Sequence, residues 1–296
     1  MSSYQSSRPK LACEIAPDRI IAGRAADSGQ VLELCSTAEL SPGCVVADLT
    51  ENNLRERNSV VSALRETLSS VAGRGRDVVA VLPDAAIRVV LLDFETLPDH
   101  RAEAESVVRF RLRKSLPFDV DKATVSYHAQ SSSSGMRVVA AVALNSVIAD
   151  YESAFREAGF NPGVVLPSML AALGGAAGDT GTLVLKVDAR TTSIAILDKQ
   201  QLLLFRTVEN TRGVTISGEQ LAEDVYPSVV FFQDTYGTNI GQILVAGVSD
   251  MAGAAPALHS QTGAEVRELV KASQLGLGGG SIPKWRMAGV VGALLA

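Results

Sequence analysis

The clearest pattern of apolar and polar positions runs from Leu183 to Thr207. Three short runs rich in Val, Ile and Leu are separated there by a polar corner, Asp188–Ser193, and by a three-residue turn, Asp198-Lys199-Gln200. β-branched runs broken by turn residues predict three adjoining strands. Upstream, residues 11–22 and 30–35 read as two short strands and Val45–Leu49 as another. Asn52-Asn53 are placed to cap a helix carrying Leu54, Val61, Leu64, Leu68 and Val71, with Gly73 near its end, and Val78–Leu82 follows as a buried strand.

The apolar run Ile87–Phe94 opens a second pattern. A helix capped by Asp99 has acids early (Glu103, Glu105) and bases late (Arg109, Arg111, Arg113, Lys114), which complements the helix dipole, and Leu116-Pro117-Phe118 ends it. Thr124–Ala129 and Arg137–Ala143 read as strands of a hairpin with a flexible loop, Ser131–Gly135. Asn145-Ser146 caps a helix with Val147, Ile148, Tyr151, Phe155 and Ala158 on one face, closed by Gly159. Farther on, Ser217 and Gln220 form a capping box, and Pro227 interrupts or restarts that helix before Val229, Phe232 and Tyr236. Ile243–Ala246 reads as a short strand, Glu265–Leu269 as a short strand or helix edge, Gly278–Gly280 as a loop, and a last helix starts near Lys284.

Composition narrows the function classes. The 296 residues are 47% hydrophobic, enough for one large domain or two ordinary ones. A net charge of -5 argues against a broad nucleic-acid footprint. Cys13, Cys35 and Cys44 lack metal-site spacing and read as reduced structural thiols. The polar, Ser-rich start lacks a secretory core and reads as a disordered tail over residues 1–10, and no apolar run reaches the roughly 20 residues a membrane span needs. G-x-G-x-x-G, the P-loop and the nucleophile elbow are absent, and His100, His128 and His259 are isolated, so no metal site is expected.

Candidate chemistry concentrates at the Asp188–Ser193 corner. Backbone N–H groups in a tight turn between strands form a concave anion site, and adjacent hydroxyls can donate to phosphate. The corner resembles the second phosphate loop of the actin-like ATPase fold, whose form is a strand, an Asp, a Gly, small residues and Thr. With Thr191-Thr192 on the family threonines, Lys186 falls where the metal-side Asp belongs and Asp188 on the Gly. Other segments are similar to the PilM family of type IV pilus assembly: Leu97-Pro98, Leu116-Pro117-Phe118-Asp119-Val120-Asp121, Tyr127, Asp150-Tyr151-Glu152 and Glu157-Ala158-Gly159-Phe160-Asn161-Pro162. The similarity runs from about Val78 to Gly175 and resumes at Gln242–Gly247; the cytoplasmic domain of the type II secretion L protein is a cousin.

The resemblance implies an α/β, actin-like (ribonuclease H-like) two-domain fold with an inserted strand-helix-hairpin subdomain. Domain I would span residues 11–175 with the insert at 84–143, domain II residues 176–283, and a helix over 284–296 would return to domain I. It also implies a cytoplasmic scaffold of a pilus or secretion platform, held at the inner membrane by the N-terminal peptide of a bitopic PilN-like partner, beside other platform components. The nucleotide-side residues by resemblance are Glu14, Ala16, Asp18, Asp188, Arg190, Thr191, Thr192, Gly247 and Ser249. Ala16 stands for the family Gly and Pro17 removes a donor; an Ala-Glu-x-x-Lys segment is missing. Lys186 repels the metal that bridges phosphates, so the expectation is no cofactor and no turnover. The alternatives are an active PilM-like ATPase with weakly bound magnesium-ATP, and an actin-like sugar or metabolite kinase. The partner peptide is expected between the insert and domain I, against Val89, Leu91, Phe110, Arg113, Leu116, Phe118 and Tyr127.

Overall fold

A computed structural model describes residues 8–50, 52–132, 135–178, 180–210, 215–278 and 282–295. Residues 1–7 of the tail expected over 1–10, loop residues 133 and 134, and Gly279-Gly280 lie outside the described residues, while Lys10 pairs with Asp27.

The apolar start of the chain is two strands, not one: β1 (Leu11–Ile15) and β2 (Arg19–Ala25) turn back on each other at Ala16-Pro17-Asp18. Both are almost wholly buried, so neither shows the alternation that would have separated them. β3 (Leu32–Glu39) completes an antiparallel meander. Val45–Leu49 forms only an isolated bridge, Val45 to Leu54. Helix α1 (Arg57–Val71) starts later than expected. Asn53 instead accepts from the Asp48 N–H and the Tyr151 hydroxyl, tying its loop to the body. β4 (Asp77–Leu82) and β8 (Asn161–Pro167) add in parallel, giving the order β3-β2-β1-β4-β8.

The second sheet repeats this plan. β9 (Thr182–Val187), β10 (Thr191–Asp198) and β11 (Gln201–Glu209) form the meander; β12 (Gln242–Ala246) and β13 (Glu265–Glu268) add in parallel, in the order β11-β10-β9-β12-β13. The β10–β11 turn has two residues, one fewer than expected, because Asp198 pairs with Gln201. Lys199 and Gln200 both take positive φ, the geometry that matches strand twist in a two-residue hairpin.

Between β4 and β8 lies the insert: β5 (Arg88–Phe94), α2 (Arg101–Leu112), β6 (Ala123–Ser132) and β7 (Gly135–Leu144), with sheet order β5-β7-β6. Its helix has no side-chain cap, so Asp99 does not serve as one. Val108 and Leu112 of α2 pack on Val138, Ala140 and Val142 as a small separate core. Helix α3 (Asn145–Glu157) leads to β8, and the short α4 (Ser168–Leu173) follows. The Asn145 side chain accepts from the Thr124 hydroxyl rather than capping α3.

Helix α5 (Gly218–Tyr236) runs unbroken through Pro227. An internal proline costs about 3 kcal/mol; the Ser217–Gln220 capping box and the burial of Leu221, Val225, Val229 and Phe232 offset it. Helix α6 (Met251–Thr262) was not expected. After β13 the chain adds β14 (Leu275–Gly278) beside β3 in the first sheet. The return to domain I therefore precedes residue 283, and α7 (Ala288–Leu295) completes it. α4 and α7 lie between the two sheets, where Met169, Met287, Val290 and Val291 pack with Val79, Val81, Val184 and Ala195.

Candidate functional site

The repeated meander sets the site. Glu14 is the last residue but one of β1, and Lys186 the last but one of β9, so the duplicated topology brings two equivalent positions together at the floor between the sheets. Their charges meet at 3.4 Å, with side chains only 3% and 6% exposed. The Ser168 hydroxyl, at the start of α4, donates to the same Glu14 oxygen. Asp84, just after β4, accepts from the Met169 N–H at 2.8 Å and from the Ser193 hydroxyl of β10 at 3.0 Å. Asp84 and Ser168 lay outside the expected set; only their positions, two residues past the buried β4 and one residue past the edge strand β8, could have marked them.

Electrostatics follow from burial. Loss of solvent pushes the Asp84 carboxyl up to about 6, against the opposing Lys186 charge and its N–H donor. Burial pulls the Lys186 ammonium down, but Glu14, Asp84 and Asp188 outweigh it and leave the pKa raised. The cluster keeps a buried cation surrounded by three carboxylates.

The two turns that would face a phosphate engage their own donors. Ala16 N–H donates to the Arg19 carbonyl at 2.8 Å, and Asp18 holds the buried Arg19 guanidinium at 2.8 and 2.9 Å. In the β9–β10 corner the Asp188 carboxylate accepts from the Arg190 and Thr191 N–H groups, each at 2.7 Å, and from the Thr191 hydroxyl at 2.8 Å. A carboxylate of the chain thus fills the anion nest that an Asx-type corner creates. Gly247, at φ +80, lies so close to Val187 that a Cβ would sit 1.7 Å from its carbonyl oxygen, and its N–H donates to the Trp285 carbonyl. Ser249 stands exposed at the surface. Thr192 is buried with its hydroxyl unpartnered among the described residues, as is one Glu14 oxygen. No group of His, Cys, Asp and Glu side chains able to hold a metal occurs among the described residues.

The seven expected peptide contacts do not share one surface. Strand alternation is the reason: Val89 and Leu91 face away from α2, whereas Leu116, Phe118 and Tyr127 pack around the α2-side core. Phe110 is 63% exposed on the outer face of α2, and Arg113 pairs with Asp121. The space between the insert and domain I does contain a cleft of about 260 Å³, walled by Thr124, Ser126 and Ala141 on one side and by Ile148, Pro162 and Val165 on the other. Tyr127 misses it by one residue of register. A second cleft of about 800 Å³, between the insert and the β10–β11 hairpin, takes in Arg190, Thr191 and Val89. Gln130 ties the insert to β11 by accepting from the Leu202 N–H and donating to its carbonyl, and Arg137 reaches the Tyr236 hydroxyl at 2.7 Å.

No family model matches the sequence, and no curated protein matches it. Solved structures do. A PilM–PilN type IV pilus biogenesis complex superposes with a TM-score of 0.78 at 19% identity, over 97% of this chain and 98% of that one. The cytoplasmic domain of EpsL, an inner-membrane component of the Vibrio cholerae type II secretion system, gives 0.53 at 12% identity over 79% and 80%. The ethanolamine utilization protein EutJ from Carboxydothermus hydrogenoformans gives 0.53 at 12% identity over 97% and 89%. Two meander-and-parallel sheets facing each other, with an inserted sheet after the fourth strand, give this chain the actin-like fold, shared with the PilM–PilN structure along nearly its whole length.

Proposed function

We propose that this protein is a scaffold of a type IV pilus or related secretion platform. It captures the cytoplasmic N-terminal peptide of a bitopic, PilN-like inner-membrane protein and is held at the membrane by that contact. The observation that carries the reading is the likeness to a PilM–PilN complex over 97% of the chain, with a cleft open between insert and domain I. No helix among the described residues is long and apolar enough to cross a membrane, so attachment through a partner accords with the chain. The cleft has the features an extended peptide needs: apolar walls at Ile148, Pro162 and Val165, hydroxyls at Thr124 and Ser126, and the edge strands β6 and β8 alongside.

The nucleotide-side geometry supports binding without turnover chemistry. A magnesium nucleotide does not fit the donor set: Lys186 is buried beside Glu14, Asp188 occupies the corner, and the Ala16 and Gly247 N–H groups are engaged by backbone carbonyls. Phosphoryl transfer relies on metal and N–H donors at those places.

The test is capture of the partner's N-terminal peptide by the full chain. Ser126→Trp, which fills the cleft from β6, is expected to lower capture at least about tenfold, the loss of a well-packed anchor contact. Arg113→Ala and Phe118→Ala, on the opposite side of the insert sheet, retain it. Full capture by Ser126→Trp, with an unchanged melt, places docking elsewhere.

A further inference from the structure

We propose that Lys186 is a built-in replacement for a bound cation, and that its ammonium pins the two actin-like domains together without any ligand. The geometry is specific. Lys186 is fixed on β9 of the second sheet, while its partner Glu14 is on β1 of the first, 3.4 Å away. A second bridge crosses the same floor: Ser193 of β10 donates to Asp84, which follows β4. Ser168 and the Met169 N–H, at the start of α4, hold Glu14 and Asp84 from a third side. Asp188, on the Lys186 strand end, adds a further negative charge. Arg19 is the opposing cation nearby, and its own charge is taken up by Asp18.

Closure of the floor is equally marked. A Cβ at Gly289 would lie 2.5 Å from the second Glu14 oxygen, so α7 seals the carboxylate from above. That oxygen has no partner among the described residues. A buried carboxylate left with one oxygen unpaired is tolerated only where a strong charge compensates it, and Lys186 is that charge. An ammonium fixed to a strand of one sheet and paired with a buried carboxylate on a strand of the other opposes hinge motion between the halves.

The pin is independent of peptide capture, because no residue of the cleft beside Ser126 belongs to it. It is tested on the full chain by thermal melting and small-angle scattering of wild type, Lys186→Ala and Glu14→Gln. Loss of one partner of a buried pair should lower Tm by roughly 10 °C in both variants and enlarge the radius of gyration. Ethylammonium, one methylene shorter than the group that Lys186→Ala removes, should raise the Tm of that variant and leave wild type and Glu14→Gln unchanged. Variants that melt and scatter like wild type overturn the pin. So does a destabilised Lys186→Ala that ethylammonium does not rescue while Glu14→Gln stays fully stable, since the loss would then be one of packing alone.

Discussion

Asp84 carries a pH signature of its own. Its carboxyl stands at about 6 in the folded chain against an ordinary 3.8, so the folded state holds the proton more tightly than the unfolded one. The stability this adds is complete below about pH 4 and lost as pH rises through about 6, on the order of 2–3 kcal/mol in all. Asp84→Asn keeps an acceptor for the Met169 N–H, turns its amide NH2 toward the Ser193 hydroxyl oxygen as a donor, and removes the titration. Urea midpoints at pH 4 and pH 7 should therefore differ from those of wild type by that slope; an identical slope in the variant would assign the raised pKa to another group. Residue identities alone gave part of this site. Asp188, Thr191 and Thr192 were found by their place in a corner between apolar runs, Glu14 by its segment's resemblance to a first phosphate loop, and Lys186 by the family acid it stands in for. Asp84 and Ser168 were not, because a single polar residue after a strand looks like any turn until the strands are placed beside one another.

Elements with strong contrast were readable and those without it were not. The β9-β10-β11 meander and the insert's strand, helix and hairpin have β-branched runs bounded by polar turns, and their ends fall within three residues of expectation. α6 opens with a run of Ala, Gly and Pro after Met251 and buries only Ala254 and Leu258, and α4 has six residues between a proline and a glycine, so neither shows a helical stripe. β8 carries two prolines and a glycine, signals that normally exclude a strand, and is tolerated because it forms the sheet edge. At α5 the capping box and the burial of Leu221, Val225, Val229 and Phe232 together offset an internal proline. Replacing Ser217 with Ala removes the acceptor for the Gln220 N–H and should cost about 1 kcal/mol in chemical denaturation. No loss would mean that burial of Leu221, Val225 and Phe232 alone holds the helix start.

At the level of the whole molecule, duplication explains both what the site is and what it lacks. Two sheets of the same plan face each other, and equivalent strand ends meet where the floor is buried. At those strand ends the Lys186 ammonium faces Glu14, Asp188 accepts from its own corner, and the Trp285 carbonyl accepts from the Gly247 N–H. The insert is bonded to the second domain through Gln130 and Arg137 and leaves its cleft toward domain I open. Peptide capture without nucleotide is the central claim. Its most direct measurement is a calorimetric titration of the partner's N-terminal peptide into the full chain, with and without magnesium-ATP, with released phosphate assayed in the same samples. One peptide per chain, the same affinity in both conditions and no phosphate released are expected. Peptide binding that requires magnesium-ATP, or phosphate released in step with it, would contradict the account.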